Sequence, residues 1–221
     1  DRRPDSERVD GTLAVYGEHR VDDFVTSARV VVSPGVPASI PPLAAAIAAG
    51  VPVEGELAFA ASHLDCPVLA VSGTNGKSTT THLLGQLLSR AGMRTFTGGN
   101  LGRPLSEAVG GDFEVCAVEV SSYQMELPGN FRPRAAAILN LTPDHLERHA
   151  TMDNYGAHKC RMFARMGPDD AAIVPGGDPR LRRLADQQPG RRLLLGAHPG
   201  VAVDGNALRL SGVHDPGLVP L

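Results

Sequence analysis

Short apolar runs and stretches of helical spacing alternate along this chain almost from end to end. Runs at residues 13–16, 29–33, 51–53, 68–71, 114–120 and 136–141 predict strands, and residues 41–49, 77–91 and 154–165 predict helices between them. Strands alternating with helices predict an α/β fold with a mostly parallel sheet. The runs ahead of Ser72 and Ser121 are apolar throughout, as expected of strands covered on both faces. Towards the end, residues 201–210 alternate about Asp204, Gly205 and Asn206, which predicts a β-hairpin tail. A polar break at residues 62–67 predicts a division into a small α/β unit, 1–64, and a larger one, 65–221.

Composition narrows the class. With 221 residues, 42% hydrophobic and 20% charged, the chain can bury a real core and is not a disordered one. At roughly 150 residues per domain the length predicts about one and a half domains. A net charge of −3 removes the case for a basic nucleic-acid footprint. Nothing approaches the ~18 consecutive apolar residues of a membrane span. Three widely spaced cysteines, Cys66, Cys116 and Cys160, read as reduced core thiols of a cytoplasmic protein. The chain starts at Asp1 without a methionine and stops in a loop-like stretch, so it reads as a fragment.

Four features carry chemistry. The apolar run 68–71 leads into Gly73, Thr74, Asn75 and Gly76, then Lys77, Ser78, Thr79 and Thr80 open an amphipathic stretch. Backbone N–H groups at such a helix start cradle phosphate oxygens, Lys77 adds a point charge, and the Ser78 hydroxyl can ligate Mg²⁺. Val71 stands where the general phosphate-loop pattern has its first glycine, so this is a variant loop. Glu119 ends a buried run, where a carboxylate is costly without a partner; beside a phosphate loop it reads as a Mg²⁺ ligand, and otherwise as an edge carboxylate in solvent. Asn140, Asp144 and His145 end a third run. His149, four residues on, falls on the same helix face and reads as a surface histidine; the zinc-hydrolase pattern fails because Glu147 is not adjacent to His145. Finally, Lys159 falls inside an apolar stripe of Met152, Tyr155, Met162, Phe163 and Met166. Such a lysine either snorkels or has its chemistry changed by burial.

These features, in this order, resemble the Mur ligase family. The likeness rests on Ser33-Pro34-Gly35, the Gly73–Thr80 loop, Gly98-Gly99-Asn100-Leu101-Gly102, and Glu119-Val120-Ser121-Ser122-Tyr123-Gln124-Met125-Glu126. It continues through Asn140, Asp144-His145 and the stretch from Tyr155 through Lys159 to Phe163. The runs after Gly98 and Glu119 are similar to the D-glutamate-adding branch. The resemblance implies a partial Rossmann-like N-terminal domain followed by a phosphate-loop ATPase domain. It also implies ATP-dependent, ADP-forming ligation of D-glutamate to UDP-N-acetylmuramoyl-L-alanine through an acyl phosphate, in peptidoglycan synthesis. Lys77 would stabilise the transferring phosphoryl group, and Ser78 and Glu119 would hold one Mg²⁺. His145 and Lys159, carbamoylated by CO₂, would hold a second. Ser33, Pro34 and Gly35 would touch the nucleotide part of the substrate, and Asn100, Ser121 and Ser122 would line its path. The family's first strand with its Gly-rich turn, and its D-glutamate-binding C-terminal domain, are not expected within these residues. The isolated chain is expected to be a monomer with weak or absent ligation. A sister Mur-type or folylpolyglutamate-type ligase, or a nucleotide-binding module without ligation, are the alternatives.

Overall fold

Two strands with no polar face set the plan of the molecule. In the computed structural model, residues 12, 15 and 17–197 are described, with the tail strands 200–204, 207–210 and 218–220. Of the strand predicted at 13–16 only Val15 is described, outside regular structure; Leu13, Ala14 and Tyr16 lie outside the described residues.

The N-terminal part contains α1 (Val21–Val25), β1 (Val30–Val32), α2 (Pro41–Ala48), β2 (Val53–Gly55) and α3 (Glu56–Ala61). Prolines at the start of α2 suit a helix's first turn, where an N–H is not needed, and the helix buries Pro42, Leu43 and Ala46. Strands β1 and β2 pair in parallel, Val30 opposite Val53. Helix α3 follows β2 directly, and its Leu57, Ala58 and Ala60 join the core of the main sheet.

The larger part runs β3 (Val68–Ser72), α4 (Lys77–Arg90), β4 (Thr95–Gly99), β5 (Val115–Glu119), β6 (Ala135–Ile138), α5 (Leu146–His149), α6 (Met152–Cys160), β7 (Ala171–Pro175), α7 (Pro179–Asp186) and β8 (Arg191–Leu195). The tail adds β9 (Gly200–Asp204), β10 (Ala207–Leu210) and β11 (Leu218–Pro220). Among the described residues the sheet order is β4-β5-β3-β6-β7-β8-β9-β10-β11. Strands β4 to β9 are all parallel, and β10 and β11 add antiparallel pairs at one edge. All five residues of β5 and four of the five in β3 are buried, as expected of central parallel strands. The α/β, mostly parallel architecture is the expected one. The predicted hairpin is present as the β9–β10 pair, Asp204 opposite Ala207, while Gly205 and Asn206 lie outside the described residues.

Helix α6 begins at Met152, before the predicted 154, because the Thr151 hydroxyl caps it by accepting from Asn154 N. Its predicted end winds more tightly, as a 3₁₀ turn over Arg161–Phe163. Tyr155, Met162, Phe163 and Met166 enter the core as the stripe predicted, and Met152 packs against it half-buried. Cys116 and Cys160 are buried free thiols, and Cys66 is a half-buried one. At the opposite end of the strands from the Gly73 loop, the buried Asp170 accepts from Arg132 Nε at 2.8 Å, Arg134 Nη1 at 3.0 Å and Gly167 N at 2.7 Å. Burial raises its pKa, but these donors outweigh that and leave it below the ordinary carboxylate value. Among the described residues no helix is long and apolar enough to cross a membrane.

Helix α4 lies on the sheet through Gly85, where an added methyl would overlap Thr97 Oγ1 of β4. Alanine normally stabilises a helix interior over glycine by about 1 kcal/mol. Here overpacking should win, and Gly85→Ala is expected to lower stability by about 1–2 kcal/mol in urea unfolding. Pairing it with Thr97→Ala should recover part of that loss, which a propensity effect alone would not produce.

Candidate active site

The site forms where β3, β5 and β6 end, on the edge of the sheet to which parallel strands bring their C-termini. Strand β3 leads into Gly73 and Gly76, both at positive φ (149° and 81°), and Gly76 caps α4. A Cβ at Gly73 would crowd Leu139, so the close approach of the two strand ends requires glycine. Helix α4 opens at Lys77, leaving its first N–H groups without intrahelical partners and its positive dipole end facing the loop. Lys77, Ser78, Thr79 and Thr80 are thus all in its first turn. The Lys77 ammonium folds back to donate to Thr74 O at 2.9 Å.

Asn140 holds the loop from β6. Its Oδ1 accepts from Thr74 N at 3.1 Å and Asn75 N at 2.9 Å, and its Nδ2 donates to Asn75 O at 2.9 Å. Thr142, which no sequence pattern singles out, adds a reciprocal pair with Thr74: its N–H donates to Thr74 Oγ1, which donates to Thr142 O.

Glu119 ends β5 and is only 3% exposed. Ser78 Oγ donates to its Oε2 at 2.7 Å and Asn100 Nδ2 to its Oε1 at 2.9 Å. The solvent alternative for Glu119 therefore falls. Among the described residues, the other buried acids, Glu54 and Asp170, each meet arginine: Glu54 meets Arg29 at 3.1 Å, and Asp170 meets Arg132 and Arg134. Glu119 meets neutral donors only. A buried carboxylate with hydroxyl and amide partners, opening on a helix N-terminus, has the hard oxygen chemistry that suits Mg²⁺.

Lys159 is 1% exposed, and its Nζ donates to Gly73 O at 2.8 Å and lies 4.5 Å from the Tyr155 ring centroid. Snorkelling is excluded. Burial, and then the nearby Lys77 cation, push its ammonium down to about 7, with Asp144 and Glu119 pulling part of the way back.

His145 and His149 correct the expectation of one shared helix face. His145 lies outside α5 in left-handed backbone (φ 51°), and its Nδ1 is 3.1 Å from Tyr123 Oη. His149 is not a surface residue: it is 3% exposed, its Nε2 meets Ser122 Oγ at 3.0 Å, and Tyr123, Tyr155 and His158 surround it. The single turn of α5 followed by Ala150 at φ 64° folds it inward, which helical periodicity could not reveal. Burial and the His158 ring keep its imidazole below the ordinary value, and therefore neutral at pH 7.

Ser121 donates through both N and Oγ to Gln124 Oε1. Ser33, Pro34 and Gly35 follow β1 and share one small pocket with Tyr123, Gln124 and Glu126. The loop, Glu119, Asn100 and Lys159 thus form one cluster, joined through Tyr155 to His145 and Tyr123, and Tyr123 also lines the small pocket at the Ser33–Gly35 turn.

A family model described as the Mur ligase middle domain matches residues 71–206. The UDP-N-acetylmuramoylalanine–D-glutamate ligase of Pelotomaculum thermopropionicum is 51% identical over 152 residues, 68% of this chain and 33% of that protein. The ligase of the same name from Anaeromyxobacter dehalogenans is 46% identical over 204 residues, 91% of this chain and 44% of that protein. The chain thus spans less than half the length of these two curated relatives. Among solved structures, the UDP-N-acetylmuramate:L-alanyl-gamma-D-glutamyl-meso-diaminopimelate ligase from Neisseria meningitides has a TM-score of 0.56 at 18% identity, covering 87% of this chain and 67% of that one. The MurF ligase of Thermotoga maritima, solved with ADP, has a TM-score of 0.52 at 17% identity, covering 83% and 53%.

Two predictions follow from the way the loop is held. Asn140→Ala removes the acceptor of the Asn75 N–H, whereas the Thr74 N–H keeps the Asn140 backbone carbonyl at 3.1 Å, so amide exchange at Asn75 should accelerate by about tenfold or more while β3 amides keep their protection. For Lys159, the unfolded chain holds its proton up to about 10.5 and the folded chain only to about 7. The unfolded state binds more protons between those values, so this group makes stability rise with pH across that window. In CO₂-free buffer Lys159→Met should therefore be more stable than the parent at pH 7, on the order of 4 kcal/mol, and the advantage should fade towards pH 10. Parallel urea titrations of the two proteins at several pH values check this.

Proposed function

The chain belongs to the Mur ligase family, and on that premise we propose that it is the ATP-handling part of an ADP-forming carbon–nitrogen ligase. The proposed reaction adds D-glutamate to UDP-N-acetylmuramoyl-L-alanine in peptidoglycan synthesis. The observation that carries this reading is the convergence on one loop of Lys77, the Ser78–Glu119 pair and the buried Lys159. The two D-glutamate ligases at 51% and 46% identity support the choice of substrates, and the ADP of the MurF structure supports the nucleotide.

In this reading residues 65–221 bind ATP and residues 1–64 belong to the UDP-substrate unit. Residues Gly73 to Thr80 hold the ATP phosphates, with the N–H groups of Lys77, Ser78 and Thr79 at the open start of α4 as the cradle, and Lys77 offsets charge on the phosphoryl group in transfer. The alanyl carboxylate attacks the terminal phosphorus, giving an acyl phosphate and ADP. The D-glutamate amine then attacks the acyl carbon, and phosphate leaves. Activation is needed because a carboxylate is itself a poor electrophile. Mg²⁺, when bound, supplies neutralising charge to the phosphates. Ser78 and Glu119 would hold one ion, and His145 with Lys159 a second. Among the described residues no three His, Cys, Asp or Glu side chains gather at metal-binding spacing. Phosphate oxygens and water would therefore complete each shell, which is how Mg²⁺ is usually bound.

Lys159 would act as its carbamate. A pKa of about 7 leaves much of the amine neutral at physiological pH; the neutral amine adds CO₂ and loses a proton, exchanging a buried cation for an anionic oxygen ligand. Ser33, Pro34 and Gly35 would meet the uridine nucleotide part, and Asn100, Ser121 and Ser122 would line the way to the loop.

The test is D-glutamate incorporation into UDP-N-acetylmuramoyl-L-alanine by the complete gene product. We expect it to depend on ATP and to release one phosphate per D-glutamate. Lys159→Ala should abolish it, with partial rescue by short carboxylic acids. Full turnover by Lys159→Ala would overturn the carbamate, and incorporation of a different amino acid, or glutamylation of a folate, would overturn the substrate assignment.

A further inference from the structure

At the end of the sheet remote from the loop, one thiol and two guanidinium groups border a pocket, and a second, buried thiol lies against the first. Cys116 Sγ, near the start of β5, lies 3.5 Å from Cys66 Sγ, just ahead of β3. The backbones are already joined there, Cys116 N donating to Pro67 O at 3.0 Å. Cys66 lines a pocket of about 320 Å³ together with Ser62, Asn130, Arg132, Arg134 and Asp170. Asp170, 2% exposed, engages one nitrogen of each guanidinium, fixing both cations while more than half of each side chain faces solvent. One carboxylate between two guanidinium groups leaves a net positive charge and unused N–H forks, which suit carboxylates.

We propose that Cys66 and Cys116 form a thiol-modification site for anionic low-molecular-weight disulfides, with Cys66 as the entry thiol and Cys116 as the resolving one. The Cys66 thiolate, its proton lost to solvent, attacks one sulfur of the incoming disulfide. That S–S bond breaks, one small thiol departs with a proton, and a mixed disulfide remains on Cys66. Cys116, deprotonated in turn, attacks Cys66 Sγ and expels the second small thiol. Two protein thiols are oxidised to one disulfide, and one small disulfide is reduced to two thiols. Burial and the neighbouring Cys66 push the Cys116 thiol up to about 12, so resolution is the slower step. Cys160, also held near 12 by burial, has no thiol beside it. The sulfurs need to close from 3.5 Å to a disulfide length of about 2.05 Å.

The test treats the folded protein with oxidised glutathione and follows intact mass and linked peptides over time. We expect a mixed disulfide on Cys66 first, then loss of two hydrogens with Cys66 joined to Cys116, and Cys160 unmodified. Cys116→Ala should stop at the mixed disulfide, and Cys66→Ser should leave Cys116 unreacted. If Cys116→Ala does not fold, the order of products in the parent chain decides the same point. At low salt oxidised glutathione should react about tenfold faster than the cationic disulfide cystamine, and about 0.5 M salt should erase the difference. Modification of Cys160 at the same rate, or reaction of Cys116 without Cys66, overturns the thiol pair. Cystamine reacting as fast as glutathione disulfide overturns the role of the arginines.

Discussion

A buried ammonium on the carbonyl of Gly73 is the contact on which the site depends. Lys159 gives up nearly all of its hydration to reach that oxygen, and one hydrogen bond does not replace a hydration shell. The apolar stripe of Tyr155, Met162 and Phe163 offsets the cost by closing over it. From the other side Asn140 holds the next two N–H groups. The loop is thereby clamped between a helix and a strand end, so the open N-terminus of α4 that follows it is oriented before any ligand arrives. Preorganisation of this kind is what lets backbone dipoles stabilise an anion without paying to reorient.

Near this contact the chain is at once well packed and locally strained. His145 and Ala150 take left-handed backbone without being glycine, and both border the segment that carries α6 to the loop. Strain of this sort persists where the surroundings over-determine it. Here the Ser122–His149 bond and the rings of Tyr123, Tyr155 and His158 hold the turn in place.

Strands β3, β5 and β6 and helix α4 were legible because burial on both faces and a phosphate-loop start leave strong patterns. Strand β4, Thr95–Gly99, was not: it ends in two glycines that admit the backbones of Arg103 and Glu119, and glycine erases the strand signal. Strand β8 opens with two arginines, and α7, though capped by Asp178 with Pro179 behind it, is only eight residues long. Within the site, Lys159 could be placed on an inward face by spacing alone. Thr142 and His149 could not, because their positions depend on a turn and a single helical turn, where no period accumulates. Asn140 was visible as a polar residue at a strand end, but its clamp on two N–H groups is a tertiary fact.

A comparison of buried acids takes the reading of the site one step further. Glu54 and Asp170 lose their water but gain guanidinium partners, so each is close to neutralised where it lies. Glu119 loses as much water and gains only a hydroxyl and an amide. Such donors satisfy lone pairs without cancelling charge, and the nearest compensation is the general field of the α4 N-terminus, Lys77 and Lys159. Among the described residues the fold supplies arginine to its other buried acids and withholds it here, which leaves a charge deficit at one point, beside the Gly73–Thr80 loop. A divalent cation brought in with a nucleotide would remove that deficit and would take the Ser78 oxygen as a ligand. Carbamoylation of Lys159 would enlarge the deficit, because a cation becomes an anion. In the proposed reading the carbamate and the metal would therefore be coupled: each would be electrostatically costly or incomplete without the other, and without a nucleotide the loop would be most stable with Lys159 left uncarbamoylated.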